Sequence, residues 1–97
     1  MDFSIKYEDV DGAIRQFQSG IQRLQDVVSQ LKTDISDFNG GGFTGQSADK
    51  FNDLIERKIG LVNQLIQAYE GAIGQLQTAK QNAQEADQEL QRRVRAI

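Results

Sequence analysis

Between residues 3 and 38, apolar side chains recur at intervals of four and three without exception. They are Phe3, Tyr7, Val10, Ile14, Phe17, Ile21, Leu24, Val28, Leu31, Ile35 and Phe38. A 4-3 alternation held this long is a heptad seam, and it commits the segment to an α-helix with one apolar face. Tyr7, Ile14, Ile21, Val28 and Ile35 share one core position, and Phe3, Val10, Phe17, Leu24, Leu31 and Phe38 share the other. The remaining positions are mostly Gln, Asp, Ser, Lys and Arg. The pattern predicts a helix from about residue 8 to 38, on the order of 45 Å long at 1.5 Å per residue. Residues 1–7 are expected to be an extended lead-in, because Tyr7 is a poor N-cap while Glu8, Asp9 and Asp11 suit a first turn.

The seam stops at "DFNGGGFTGQSADKF", residues 37–51, which holds four of the chain's nine glycines. Asn39 and Gly40 are expected to end the first helix, since both accept a left-handed backbone. Thr44 is the expected N-cap of a second helix, with Ser47 as the alternative. A connection of about five residues allows only an antiparallel helical hairpin.

The second helix is expected from about residue 45 to 93, on the order of 70–75 Å. It carries two apolar seams about 110° apart around its axis. The first is Ile55, Ile59, Val62, Ile66, Tyr69, Ile73 and Leu76, and it is expected to pack on the first helix. The second is Phe51, Leu54, Leu61, Leu65, Ala68, Ala72 and Ala79, interrupted by Lys58 and Gln75. At roughly 1.5–3 kcal/mol for each large apolar side chain, leaving Phe51, Leu54, Leu61 and Leu65 wet forfeits several kcal/mol. That is comparable with the whole stability of a small domain. Two hairpins joined as a four-helix bundle would bury the second seam, so Phe51, Leu54, Leu61, Leu65, Ala68 and Ala72 are the expected dimer interface. Beyond Leu76 the seam thins. Lys80 and Asp87 occupy seam positions, and only Ala83, Leu90, Val94 and Ile97 keep the apolar register. The first helix is too short to cover this tail, which is expected to fray or to wait for a partner.

Glycines 12, 20, 60, 71 and 74 lie inside the two helices at roughly 1 kcal/mol each relative to alanine. They are either tolerated surface residues or points of close helix–helix approach, with Gly71 and Gly74 the pair expected to matter most.

The chain has no proline, cysteine, histidine or tryptophan. Triads built on Ser/His or Cys/His, and the usual zinc and copper sites, are thereby excluded. Carboxylate pairs such as Asp34 and Asp37, or Glu85 and Glu89, read as solvated helix surface rather than acid–base machinery. The "GGGFTG" stretch has no lysine and no preceding strand, so it is neither a P-loop nor a dinucleotide fingerprint. A net charge of −3 argues against nucleic acid as a partner. The longest apolar runs are two residues, as at Val27-Val28 and Leu54-Ile55, which leaves nothing to span a membrane. The opening "MDFSIKYEDVDG" is not the pattern of a secretory signal peptide. No enzyme activity and no cofactor are expected.

The turn narrows the reading further. Phe43-Thr44-Gly45, followed by Ala48 and Phe51, resembles the signature of the WXG family, the early-secreted-antigen-like substrates of type VII secretion systems. There a Trp-x-Gly turn lies mid-chain between two long helices, commonly with an aromatic eight residues after the Trp. Phe43 stands here in the place of that Trp, and Phe51 keeps the spacing. The resemblance implies a small helical hairpin that pairs as a homo- or heterodimer in mycobacteria and many Gram-positive bacteria. It also implies export without a cleaved signal peptide through a membrane ATPase complex. The family's roles are as virulence-associated factors, secretion partners or adaptors for larger toxins. The family's C-terminal export signal, often Tyr-x-x-x-Asp/Glu, has no match after the second helix. The only match runs from Tyr7 to Asp11, at the other end of the chain. This leaves room for export with a partner that carries the signal, and makes Asp87, Leu90 and Val94 the candidates for the part of the tail that the machinery reads.

The turn itself has two readings. Gly45 would let the backbone pass close to the neighbouring helix, while Phe43 would either plug the end of the bundle or be recognised directly. The leading function is a secreted substrate or secretion partner, as a homodimer or paired with a related hairpin. The alternative is an intracellular coiled-coil adaptor or chaperone that covers the second seam with a larger client. A membrane-active role is disfavoured by the acidic composition and the lack of a basic, aromatic amphipathic face.

Overall fold

The computed structural model describes residues 7–41 and 45–96. They form two helices, α1 (Tyr7–Gly40) and α2 (Gln46–Ala96), folded back on each other as an antiparallel hairpin. The all-α class and the hairpin are therefore as the periodicity required. The molecule is a rod of 79 × 21 × 17 Å. Its length is that of α2, about 76 Å at 1.5 Å per residue.

α1 runs slightly past both of its expected limits, and α2 past its C-terminal one. α1 begins at Tyr7, with Glu8 and Asp9 at the positive end of its dipole. Its other end departs from expectation, because neither Asn39 nor Gly40 adopts a left-handed backbone. The helix instead runs through Gly40, and the Gly41 N–H is shared between the carbonyls of Asp37 (3.0 Å) and Phe38 (3.2 Å). Such three-centre bonds are common at helix termini and satisfy the last carbonyls without a special dihedral. α2 stays helical through Ala96, beyond the expected end near residue 93. Strong helix formers fill this stretch, and Glu89 pairs with Arg92 (3.6 Å) and Arg93 (3.4 Å) one turn on. Arg93 and Arg95 lie in the last turn, where positive charge meets the negative end of the dipole.

The two seams that face each other make the core. On α1, Tyr7, Val10, Ile14, Phe17, Ile21, Leu24, Val28, Leu31, Ile35 and Phe38 are all half-buried, and none is fully buried. On α2, Ile55 and Ile66 are buried, while Ile59, Val62, Tyr69, Ile73 and Leu76 are half-buried. Two helices can shield each other from one side only, so a half-buried seam is what a lone hairpin can achieve. The accessible surface reflects this. It is 7606 Å², against roughly 5,500 Å² for a compact monomer of this mass.

Extending the inner seam of α2 backward in the same register reaches Asn52 and then Ala48. Both belong to it: Ala48 is buried and Asn52 half-buried. Carried forward, the same stripe passes through Lys80, Ala83 and Asp87. The core therefore has an apolar middle and polar side chains at both ends.

Candidate functional site

Three surfaces of the hairpin can meet another molecule: the turn end, the outer face of α2 and the open end where α1 begins. At the turn end, α2 starts from Gly45, whose carbonyl accepts the Asp49 N–H at 3.1 Å as the first bond of the helix. Gly45 thus occupies the N-cap position. Its φ is +80°, the left-handed region. A Cβ built there would meet nothing within 4 Å. Glycine is needed for the dihedral and not, as expected, for close passage of a neighbouring helix. Phe43 and Thr44, the other residues of the turn motif, lie outside the described residues; the N-cap expected at Thr44, or alternatively at Ser47, falls instead to Gly45, and Ser47 lies inside the first turn of α2.

The first turns of α2 are stitched to the last turns of α1. Phe51 stacks on Phe38 with centroids 4.1 Å apart and planes at 27°. Asn52 Nδ2 donates to Asn39 Oδ1 at 3.2 Å, while Asn52 Oδ1 is enclosed without a partner. Phe51 therefore departs from the outer seam to which its spacing assigned it. It lies four residues before buried Ile55, close enough in angle for a large ring to turn inward.

The outer face of α2 carries the rest of that seam. Leu54 is 52% exposed, Leu61 64% and Leu65 43%. Ala68 is also exposed, and Ala72 is half-buried. Further along, Gly71, Gly74, Gln75, Thr78, Ala79 and Asn82 form a shallow, open depression. A Cβ added at Gly71 or Gly74 would meet nothing within 4 Å. Of the two readings, Gly71 and Gly74 take that of tolerated surface residues within the hairpin and not that of close approach. That role falls to Gly20. A Cβ there would lie 2.8 Å from Cε2 of Tyr69, whose ring crosses above it and meets Phe17 edge-on at 5.2 Å. Gly20 is the one helical glycine among those described that α2 presses against. Its position beside the α1 seam, opposite an aromatic, was the sequence signal that could have identified it.

At the open end the seam is polar. Lys80 Nζ donates to Asp11 Oδ1 at 2.8 Å, with the side chains 28% and 40% exposed. One heptad on, the Tyr7 hydroxyl donates to Asp87 Oδ2. That hydrogen bond, with partial burial and the negative charge of Asp87, holds the Tyr7 phenol above its ordinary 10.0. Lys80 and Asp87 were expected to thin the core; here they are engaged by α1. Antiparallel folding also brings the Tyr7-x-x-x-Asp11 pair beside residues 80–87. It lies at the far end of the chain from the tail, but at the same end of the molecule. Past Asp87 the helix is uncovered: Leu90 and Val94 are each 62% exposed.

Among the described residues there is no group of three His, Cys, Asp or Glu side chains able to hold a metal ion. No helix among them is long and apolar enough to cross a membrane.

No curated protein and no solved structure matches the chain. A family model does: that of the WXG100 proteins, described as proteins of 100 residues with WXG, over residues 2–88. The match ends one residue past Asp87, where α1 stops covering α2, and so takes in the hairpin but not the uncovered end of α2. These proteins are small, helical and secreted, and are associated with type VII secretion. With its helical hairpin and a family match over nearly its whole length, the chain belongs to the WXG100 family.

Proposed function

We propose that the chain is a non-enzymatic substrate or secretion partner of a bacterial type VII secretion system, and that it works by pairing hairpins into a four-helix bundle. One observation carries the pairing: the row Leu54, Leu61 and Leu65, left 43–64% exposed along one side of α2. The molecule's surface exceeds that of a compact monomer by roughly 2,000 Å². A standard protein–protein interface buries about 1,200–2,000 Å². A second copy of the hairpin, or a related hairpin, would cover this face, with Ala68 and Ala72 letting the backbones approach. Family membership supports the rest of the reading. The protein would leave a Gram-positive or mycobacterial-type cell without a cleaved signal peptide. Its partners would then be the secretion ATPase and, in some systems, a larger toxin. The uncovered residues beyond Asp87, with Leu90 and Val94, are the tail available for recognition. Neither nucleic acid nor stable membrane insertion has a part in this reading.

Light scattering across a dilution series tests the pairing. A dimer that persists to low micromolar concentration is expected for the homotypic bundle. A monomer that becomes a stable complex only with a related hairpin would make the dimer heterotypic. A monomer that orders only on an unrelated cytoplasmic client, and is never exported, would favour the adaptor reading. Export lost on deleting the secretion ATPase, and restored with it, tests the secretion role separately.

A further inference from the structure

We propose that the Asp11–Lys80 ion pair and the Tyr7–Asp87 hydrogen bond form a releasable latch that sets where α2 leaves the hairpin. The inference concerns the hairpin alone and stands whether or not the secretion reading holds.

The argument begins from what holds the two helices together along their length. From Ile55 to Leu76 the inner seam of α2 is continuously apolar and includes two of the three buried side chains. Beyond Leu76 the stripe offers α1 only Lys80, Ala83 and Asp87. On α2 only Ala83 adds apolar burial here, while α1 brings the half-buried Tyr7 and Val10, so less apolar burial holds this stretch than the seam from Ile55 to Leu76. Both polar side chains are instead met by α1, one from its first turn and one from its second, a heptad apart on α2. An ion pair whose side chains are 28% and 40% exposed is partly screened by water. A hydrogen bond at a solvent-accessible end competes with water in the same way. The contacts are specific in geometry and weak in energy, which is the character of a catch and not of a core. The opposite end of the seam differs. There the Asn39–Asn52 bond sits beside the stacked rings of Phe38 and Phe51, so parting the helices also costs aromatic contact.

Closed, the latch leaves residues 88–96 as uncovered helix. Open, with Tyr7 and Asp11 detached, the unsupported stretch grows back to the end of the apolar seam near Leu76. The free helix then spans residues 80–96, and Ala83 joins Leu90 and Val94 on one exposed stripe. Uncovered helix frays more readily than packed helix, so the latch position should be visible as a step in amide protection.

Hydrogen exchange read by mass spectrometry on the full chain at neutral pH makes the test, comparing residues 80–87 with 55–66. Asp11→Lys and Lys80→Asp should each speed exchange in 80–87 by roughly three- to ten-fold and leave 55–66 unchanged. The double variant Asp11→Lys/Lys80→Asp re-forms the pair with its signs exchanged and should bring the rates back toward those of the unsubstituted chain. Tyr7→Phe removes one hydroxyl and should move the step without moving the core. Unchanged rates in all the single variants would overturn the latch. A double variant no better protected than the singles would overturn the pairing. Equal acceleration in 80–87 and 55–66 would also overturn it, because the contacts would then support the whole fold and release nothing locally.

Discussion

The two ends of the hairpin close by different means, and the contrast shows how one heptad pattern can be terminated twice. At the turn end the chain is continuous, a left-handed Gly45 launches α2, and two phenylalanines stack across the helices. At the open end no covalent link holds the helices, the apolar stripe of α2 has thinned to Ala83, and a carboxylate–ammonium pair and a phenol–carboxylate bond join it. Apolar contact resists water because separation exposes surface. Polar contact exchanges one set of hydrogen bonds for another and so resists it less. The same helices are thus fastened at one end and held in balance at the other.

Breaking the turn end should have the largest effect. Phe51→Ala removes a half-buried ring stacked on Phe38 and should cost about 2–4 kcal/mol, somewhat less than the roughly 3–5 kcal/mol of a fully buried aromatic truncation. Thermal or urea melts measure it, and a loss below 0.5 kcal/mol would mean that the stack contributes no stability. Gly45→Ala comes next. It places a side chain on a φ of +80° with no steric gain, and should cost about 1–2 kcal/mol.

Two helical glycines between the ends sharpen the comparison, because the same substitution should have opposite signs. Gly71→Ala adds a methyl group to open space and gains helix propensity, so it should stabilise by about 0.5–1 kcal/mol. Gly20→Ala gains the same propensity but drives Cβ to 2.8 Å from the Tyr69 ring. Displacing that ring from Phe17 should outweigh the gain and leave a net loss of about 1 kcal/mol. Equal shifts in the two melts would mean that Tyr69 swings away freely.

The smallest effect belongs to the open end and appears as a pH dependence. The phenol of Tyr7 is held above its ordinary 10.0 by its bond to Asp87. Its contribution is therefore fully present below pH 10 and is lost as pH rises through the elevated value in the folded state. The unsubstituted chain should lose stability more steeply than Tyr7→Phe above pH 10, and the two should run parallel below it. Parallel melts throughout would remove the Tyr7–Asp87 bond from the account.

Most of the fold was legible because a heptad period reports which face of a helix is buried. The seams of α1 and α2 could be listed residue by residue, and the short glycine-rich break left only a hairpin. What the period does not report is which residues meet across the helices. Phe51 belongs by spacing to the outer seam, yet a ring so near the inner stripe can turn toward Phe38. Lys80 and Asp87 look like defects on α2 alone; their partners Asp11 and Tyr7 appear only once the chain is folded at its middle and charges are compared across the pair. Glycine was the least legible residue. Three roles, a dihedral at Gly45, a close approach at Gly20 and open space at Gly71 and Gly74, depend on neighbours that local sequence does not name.

The thinness of the rod has a thermodynamic consequence. Denaturant sensitivity and the heat-capacity change on unfolding both scale with the surface newly exposed. A molecule that already shows 7606 Å² has comparatively little left to expose. The separated hairpin should therefore melt over a broad range of temperature and denaturant, with a flat stability curve and weak cooperativity. Any partner that covers the leucine row of α2 would announce itself by steepening those transitions, before its structure was known.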